Sequence, residues 1–131
     1  MNAPAHKVVI GMGSNINPAQ NIQAAIDRIA LDHAVLGIAT WEWTKPIGRA
    51  DQDDFINTAV YIATGFNRDQ LAGYLRSIEN ELGRVRTSDK FAPRTIDLDI
   101  VVWDGCVVDD DFYKRDFLKR QVLELVKDLV Y

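Results

Sequence analysis

The stretch Pro93-Arg94-Thr95-Ile96-Asp97-Leu98-Asp99-Ile100 is where residue types and spacing point most directly to chemistry. Read as a β-strand, its alternation puts Thr95, Asp97 and Asp99 on one face and Ile96, Leu98 and Ile100 on the other. The apolar set belongs to a core, so the two carboxylates project together from the opposite face, their Cα atoms roughly 6.5–7 Å apart. Carboxylates that close repel unless something positive lies between them. Mg²⁺ suits such a pair, with waters and substrate phosphates completing its octahedron. Two solvated aspartates paired with arginine would satisfy the same sequence. Arg84, Arg86, Lys90 and Arg94 lie just before or within this stretch. Arginine forks fit phosphate oxygens. Cations and aspartates together suggest a polyphosphate-and-metal site, as against a solvated basic loop that balances the aspartates.

Other segments carry weaker signals. Gly11-Met12-Gly13-Ser14-Asn15 follows an apolar run and precedes a helix, so its backbone N–H groups could meet an anion. It lacks both the Gly-Lys-Ser/Thr ending of a Walker A loop and the third glycine of the dinucleotide fingerprint, and a plain strand-to-helix turn accounts for it as well. Phe55 and Asn57 share a strand face, and an amide beside an aromatic ring can hold a flat heterocycle by stacking and paired hydrogen bonds. An edge-strand Asn beside a partly buried Phe is the simpler account. Trp41 and Trp43 read as packing residues. Cys106, beside a turn, reads as inert. His6 and His33 show no partner in the sequence. Asp109, Asp110 and Asp111 favour the N-terminus of a last helix rather than a metal.

These residues need elements to position them. Lys7–Met12 suits a buried strand, ended by the glycines that follow. Asn17-Pro18 starts a helix to about residue 31, with Asn17 as its cap. Strands are expected over 34–43 and 55–63, separated by a loop of roughly ten residues, a length that is often functional. Asn67 caps a second helix carrying Leu71, Leu75, Ile78 and Leu82, which stops at Gly83. A strand over 95–103 turns at Asp104-Gly105 into a short return strand, 106–108. A last helix is expected over 114–130. The order β-α-β-β-α-β, plus a return strand and a helix, is an α+β fold with the ferredoxin-like split β-α-β arrangement. Its antiparallel sheet would carry both core helices on one face. The other face is then free for a site unless the last helix covers it.

The 131 residues suit one domain, 1–131. With 47% hydrophobic and 26% charged residues the chain is neither disordered nor membrane-spanning in composition. A net charge of −4 disfavours a broad nucleic-acid surface. One cysteine leaves no intrachain disulfide. With no apolar leader visible, a cytoplasmic protein is the expectation.

Taken together and in order, these pieces resemble the 6-hydroxymethyl-7,8-dihydropterin pyrophosphokinase family. Gly13-Ser14-Asn15, Thr44-Lys45-Pro46-Ile47-Gly48, Phe55-Ile56-Asn57-Thr58-Ala59-Val60, the helix end Glu79 to Arg86, and above all Pro93 to Ile100 resemble its motifs. The resemblance implies transfer of pyrophosphate from ATP to the pterin hydroxymethyl group in folate biosynthesis, releasing AMP. It implies two Mg²⁺ ions on Asp97 and Asp99, and catalytic roles for Arg84 and Arg94. Thr44, Pro46, Ile47, Phe55, Asn57 and Phe117 would line the pterin pocket. Glu79, Arg84, Arg86, Arg94, Ile100 and Arg115 would lie on the nucleotide side. Small-molecule substrates, no nucleic acid, no membrane, and a monomer with a homodimer as alternative complete the expectation. The chain departs from the family's pattern after residue 108, where the segment is several residues shorter and lacks a Pro-His pair. A shortened relative that binds a pterin-like ligand with little transfer is therefore the second reading.

Overall fold

A computed structural model of the chain describes residues 6–48, 50–84 and 93–131. Strand β1 (His6–Ser14) runs through the middle of an antiparallel sheet. Helix α1 (Pro18–Asp32) leads to β2 (Ala34–Ile38) and β3 (Glu42–Thr44), and β4 (Phe55–Thr64) returns beside β1. Helix α2 (Arg68–Glu81) precedes β5 (Asp97–Trp103), and a tight turn gives β6 (Cys106–Val107). Two helices, α3 (Asp111–Lys114) and α4 (Asp116–Leu125), follow. The strand order β2-β4-β1-β5-β6, with β3 also on β4, is the expected split β-α-β topology.

Two apolar layers sandwich the sheet. On one face α1 and α2 supply Ile22, Ile29, Leu71, Leu75 and Ile78 to a core that includes Val8, Ile10, Ile56, Val60, Ile96 and Leu98. On the other, α4 and its surroundings pack Phe112, Leu118, Val122 and Leu129 against Val9, Ala59, Val101 and Val102. The last helix thus covers much of the second face, and only the part beyond it stays open. Val101 and Val102 share that layer although neighbours in a regular strand point apart. The pairing explains this: Ile10 faces Ile100 and Val9 faces Val102, so Val101 is a bulge residue.

Several elements differ from the sequence reading. The expected helix over 114–130 is two pieces, broken at Arg115 and ending at Leu125, after which Leu129 returns to the core. The expected strand 34–43 is interrupted over 39–41, where the Thr58 hydroxyl donates to the Ala39 carbonyl at 2.8 Å. Trp41 packs on the α1/α2 core, but Trp43 is largely exposed rather than packed. Asn17 adopts a left-handed backbone and makes no side-chain cap. His6 has a partner after all, Asp104, at 2.7 Å. Asn67 does cap α2, in a full capping box with Gln70. Removing that cap with Asn67→Ala should cost about 1 kcal/mol of unfolding free energy. Urea denaturation checks this, with an unchanged m-value.

Candidate active site

The open part of the sheet holds a cleft of about 340 Å³. Its floor is β1. Gly11 and Gly13 lie inside that strand, paired with Ala59 and Asn57 on one side and Asp99 and Asp97 on the other. They do not end the strand, and no anion-binding turn forms there. They contribute an absence of side chains. A Cβ at Gly13 would stand 2.8 Å from Asn57 Oδ1, and one at Gly11 would stand 3.2 Å from Val101 Cγ2 and 3.4 Å from Leu118 Cδ1.

The walls come from both neighbours of β1. On β4, Phe55 and Asn57 face the cleft, and the Asn57 amide donates to the Thr44 hydroxyl. Thr44, Lys45 and Ile47 form the rim, while Pro46 lies in the same loop outside the cleft lining. From the far side α3 and α4 bring Asp111, Arg115, Phe117 and Leu118. On β5, Asp97 and Asp99 project from the face opposite Leu98, as the alternation requires.

Asp97 is held by two arginines. Arg84 Nη1 donates to one of its oxygens at 2.8 Å and Arg94 Nη1 to the other at 2.9 Å. Arg84 also donates to Glu79 at 2.7 Å, and Glu79, 5% exposed on α2, accepts the Leu98 backbone N–H at 2.8 Å. One buried carboxylate therefore fixes both the arginine and the strand. Arg94 is anchored from below by Asn15. The Asn15 side-chain oxygen accepts the Arg94 N–H at 2.8 Å, and its amide reaches Gln52 at 2.6 Å. Asn15 is thus a structural clamp between two loops, a role that neither the anion-binding turn nor the plain strand-to-helix turn described. Arg86 and Lys90 lie outside the described residues. A second hollow, of about 390 Å³, opens on the outer side of β5 and carries Glu79, Arg84 and Ile100 with Arg68 and Arg76 of α2.

Asp99 makes no hydrogen bond or ion pair among the described residues. Asp99 is exposed as a residue, but neighbouring atoms crowd its carboxyl enough to cost it hydration. That desolvation, together with the like charges of Asp97, Asp109 and Glu79, pushes its carboxyl up to about 7, against a smaller opposing pull from Arg84. Asp109 is also raised, by burial first and then by its acidic neighbours, although the Asp111 backbone N–H opposes this. Asp109 does sit at a helix start, where its side chain accepts the Asp111 N–H at 2.9 Å, but the fold also sets it beside the cleft. The signal missed was the short span from β6 to α3, which ties that segment to the sheet.

Asp97, Asp99, Asp109 and Asp111 bring four carboxylates to the cleft. Such donors are oxygens only, which fits Mg²⁺. Among the described residues no group of three or more His, Cys, Asp or Glu side chains is placed to hold a metal, so a cation here would keep water or phosphate ligands. Each Asp97 oxygen already accepts one arginine bond, so a cation there would share that carboxylate with the arginines or draw them away.

Residues 9–127 match the model of the family described as 7,8-dihydro-6-hydroxymethylpterin-pyrophosphokinase. A 2-amino-4-hydroxy-6-hydroxymethyldihydropteridine pyrophosphokinase of Haemophilus influenzae is 32% identical, over 92% of this chain and 82% of its own length. One of the same name from Methylorubrum extorquens is 33% identical, over 95% and 85%. The folic acid synthesis protein fol1 of Schizosaccharomyces pombe is 33% identical over 93% of this chain, which corresponds to 18% of that longer protein.

The raised carboxyl has a consequence for stability. A folded-state acid that binds its proton more tightly than the unfolded chain stabilises the protein below the unfolded value of about 4. That contribution is lost as pH rises through about 7. Asp99→Asn should therefore resist urea better than the wild type at pH 8, and the two should converge near pH 4.

Proposed function

We propose, because the chain belongs to the 7,8-dihydro-6-hydroxymethylpterin-pyrophosphokinase family, that this cleft moves the pyrophosphoryl group of ATP onto the hydroxymethyl oxygen of 6-hydroxymethyl-7,8-dihydropterin. A bond forms between that oxygen and the β-phosphorus. The bond from the β-phosphorus to the α,β-bridging oxygen breaks, AMP leaves, and the hydroxyl loses its proton. The observation that carries the reading is Asp97, clasped by Arg84 and Arg94, with Asp99 beside it in a cleft walled by Phe55, Asn57 and Phe117.

Such a transfer is chiefly positioning and charge stabilisation, and it needs no nucleophilic side chain. The aromatic walls, Phe55 and Phe117, would take the flat ring between them, and Asn57 would read its amide edge. Thr44, Pro46 and Ile47 would shape the mouth of this pocket. Glu79, Arg84 and Ile100, which share the outer hollow, would meet the nucleotide, with Arg86, Arg94 and Arg115 on its phosphates. Asp97 and Asp99 would hold two Mg²⁺ ions, which when bound neutralise the polyphosphate. The arginines now on Asp97 would then turn to phosphate oxygens, exchanging one anion for another. No described helix is long and apolar enough to cross a membrane.

A second reading keeps the pterin pocket and loses efficient transfer. Asp109 and Asp111 favour it, because they bring negative charge to a cleft that must accept phosphates.

Purified protein given ATP, Mg²⁺ and the pterin should form AMP and pyrophosphorylated pterin in equal amounts. Absence of both, with ligand binding shown in the same preparation, would select the second reading. Asp97→Ala should lower turnover by about 10²–10³-fold with an unchanged circular dichroism spectrum. Asn57→Ala should weaken pterin binding about tenfold, the value of one lost hydrogen bond, and leave ATP binding unchanged. Equal losses for both ligands would remove Asn57 from the ring-reading role.

A further inference from the structure

Gln121 has no part in the cleft lining, yet its environment is unusual. It sits on α4, 1% exposed, in the layer between that helix and the sheet. Its side-chain amide donates to the backbone carbonyl of Asn57 at 2.9 Å and to that of Thr40 at 3.3 Å. Its own carbonyl oxygen, Oε1, is buried with no partner. A helix facing a sheet ordinarily meets it with apolar groups, and a buried amide that leaves an acceptor unpaired carries a cost. What the arrangement yields is a directional tie, where apolar contacts alone would let the helix slide.

The tie is well placed. Asn57 is the cleft amide, and the Gln121 bond fixes the peptide from which its side chain springs. Thr40 lies in the break between β2 and β3 that brings Thr44 to Asn57. Residues 115–118 on the same helix pair carry Arg115, Phe117 and Leu118 into the opposite wall. Among the described residues the other polar moorings of α4 to this region are Glu124 on the Thr40 N–H and hydroxyl, at 2.9 Å each, and Arg120 on Glu42 of β3, at 2.8 Å. Both lie at the exposed surface, where such pairs hold geometry weakly. Gln121 is the buried one.

We propose that Gln121 is a positioning residue for ring recognition: it sets the spacing between the Phe117 wall on α4 and the Asn57 amide on β4, and so tunes selection of the flat substrate. This rests on the pterin reading of the cleft and extends it to a residue outside the lining.

The test is a double-mutant cycle in the full chain. Gln121→Met keeps the shape and removes both donors. It should raise the KM for 6-hydroxymethyl-7,8-dihydropterin about tenfold, the order of one lost hydrogen bond, with the KM for ATP and kcat within about twofold. In an Asn57→Ala background the same change should have little further effect on pterin, because there is no amide left to position. Gln121→Leu, likewise unable to donate, should behave like Gln121→Met. A melting temperature for each variant separates unfolding from misplacement. An unchanged pterin KM in folded Gln121→Met, equal loss of both substrates, or full additivity with Asn57→Ala would overturn the proposal. If Asn57→Ala itself leaves pterin binding intact, the reading of the cleft fails instead. If Gln121→Met does not fold, folded Gln121→Leu decides by the same criteria.

Discussion

Asp97 is clasped by Arg84 and Arg94, and most of the site is arranged around that fact. Two carboxylates two residues apart on one strand face repel each other and call for compensating cations. Asp97 has these in the arginines. Asp99 does not, and its carboxyl rises to about 7. Each arginine needs its own support. Arg84 leans on Glu79, which also grips the β5 backbone. Arg94 is held by Asn15, whose amide spans to the loop before β4. Strand, helix end and two loops are thereby tied to one charge centre.

That centre stands beside a floor kept bare. Gly11 and Gly13 occupy the cleft side of the central strand, and any larger residue at 13 would collide with Asn57. The apolar packing of α4 stops short of them. One sheet face is therefore divided: core under Val122 and Phe112, open cleft over the glycines. A sheet with both faces fully covered would have had no room for substrate, and one with a bare face would have lost the second core.

Much of this was legible in the sequence. Alternation assigned Ile56, Val60 and Ile62 to one layer and Phe55 and Asn57 to the other, and it aimed Asp97 and Asp99 away from the core. The spacing of Leu71, Leu75 and Ile78, with Asn67 before and Gly83 after, marked α2 at both ends. What local pattern missed depends on tertiary contact. The glycines of β1 look like strand breakers until two neighbouring strands pair with them. The bulge at Val101 follows from register against β1. Asn15 has a clamp's role only because Gln52 and Arg94 come to it from distant segments. Asp109 reads as a helix-start residue, which it is, and only the fold sets it against Asp97 and Asp99 as well. The stripe over 114–130 was a sound helical pattern, overridden where the chain bends at Arg115 and after Leu125.

The central claim is that Asp97 and Asp99 form a cation-bearing phosphate centre. Calorimetric titration of Mg²⁺ into the protein with a non-hydrolysable ATP analogue, at pH 7 in buffers of different ionisation enthalpy, tests it most directly. The account predicts two bound ions per chain with net proton release, and loss of both features in Asp97→Ala. Unchanged Mg²⁺ stoichiometry in that variant, or binding to wild type with no proton released, would contradict it.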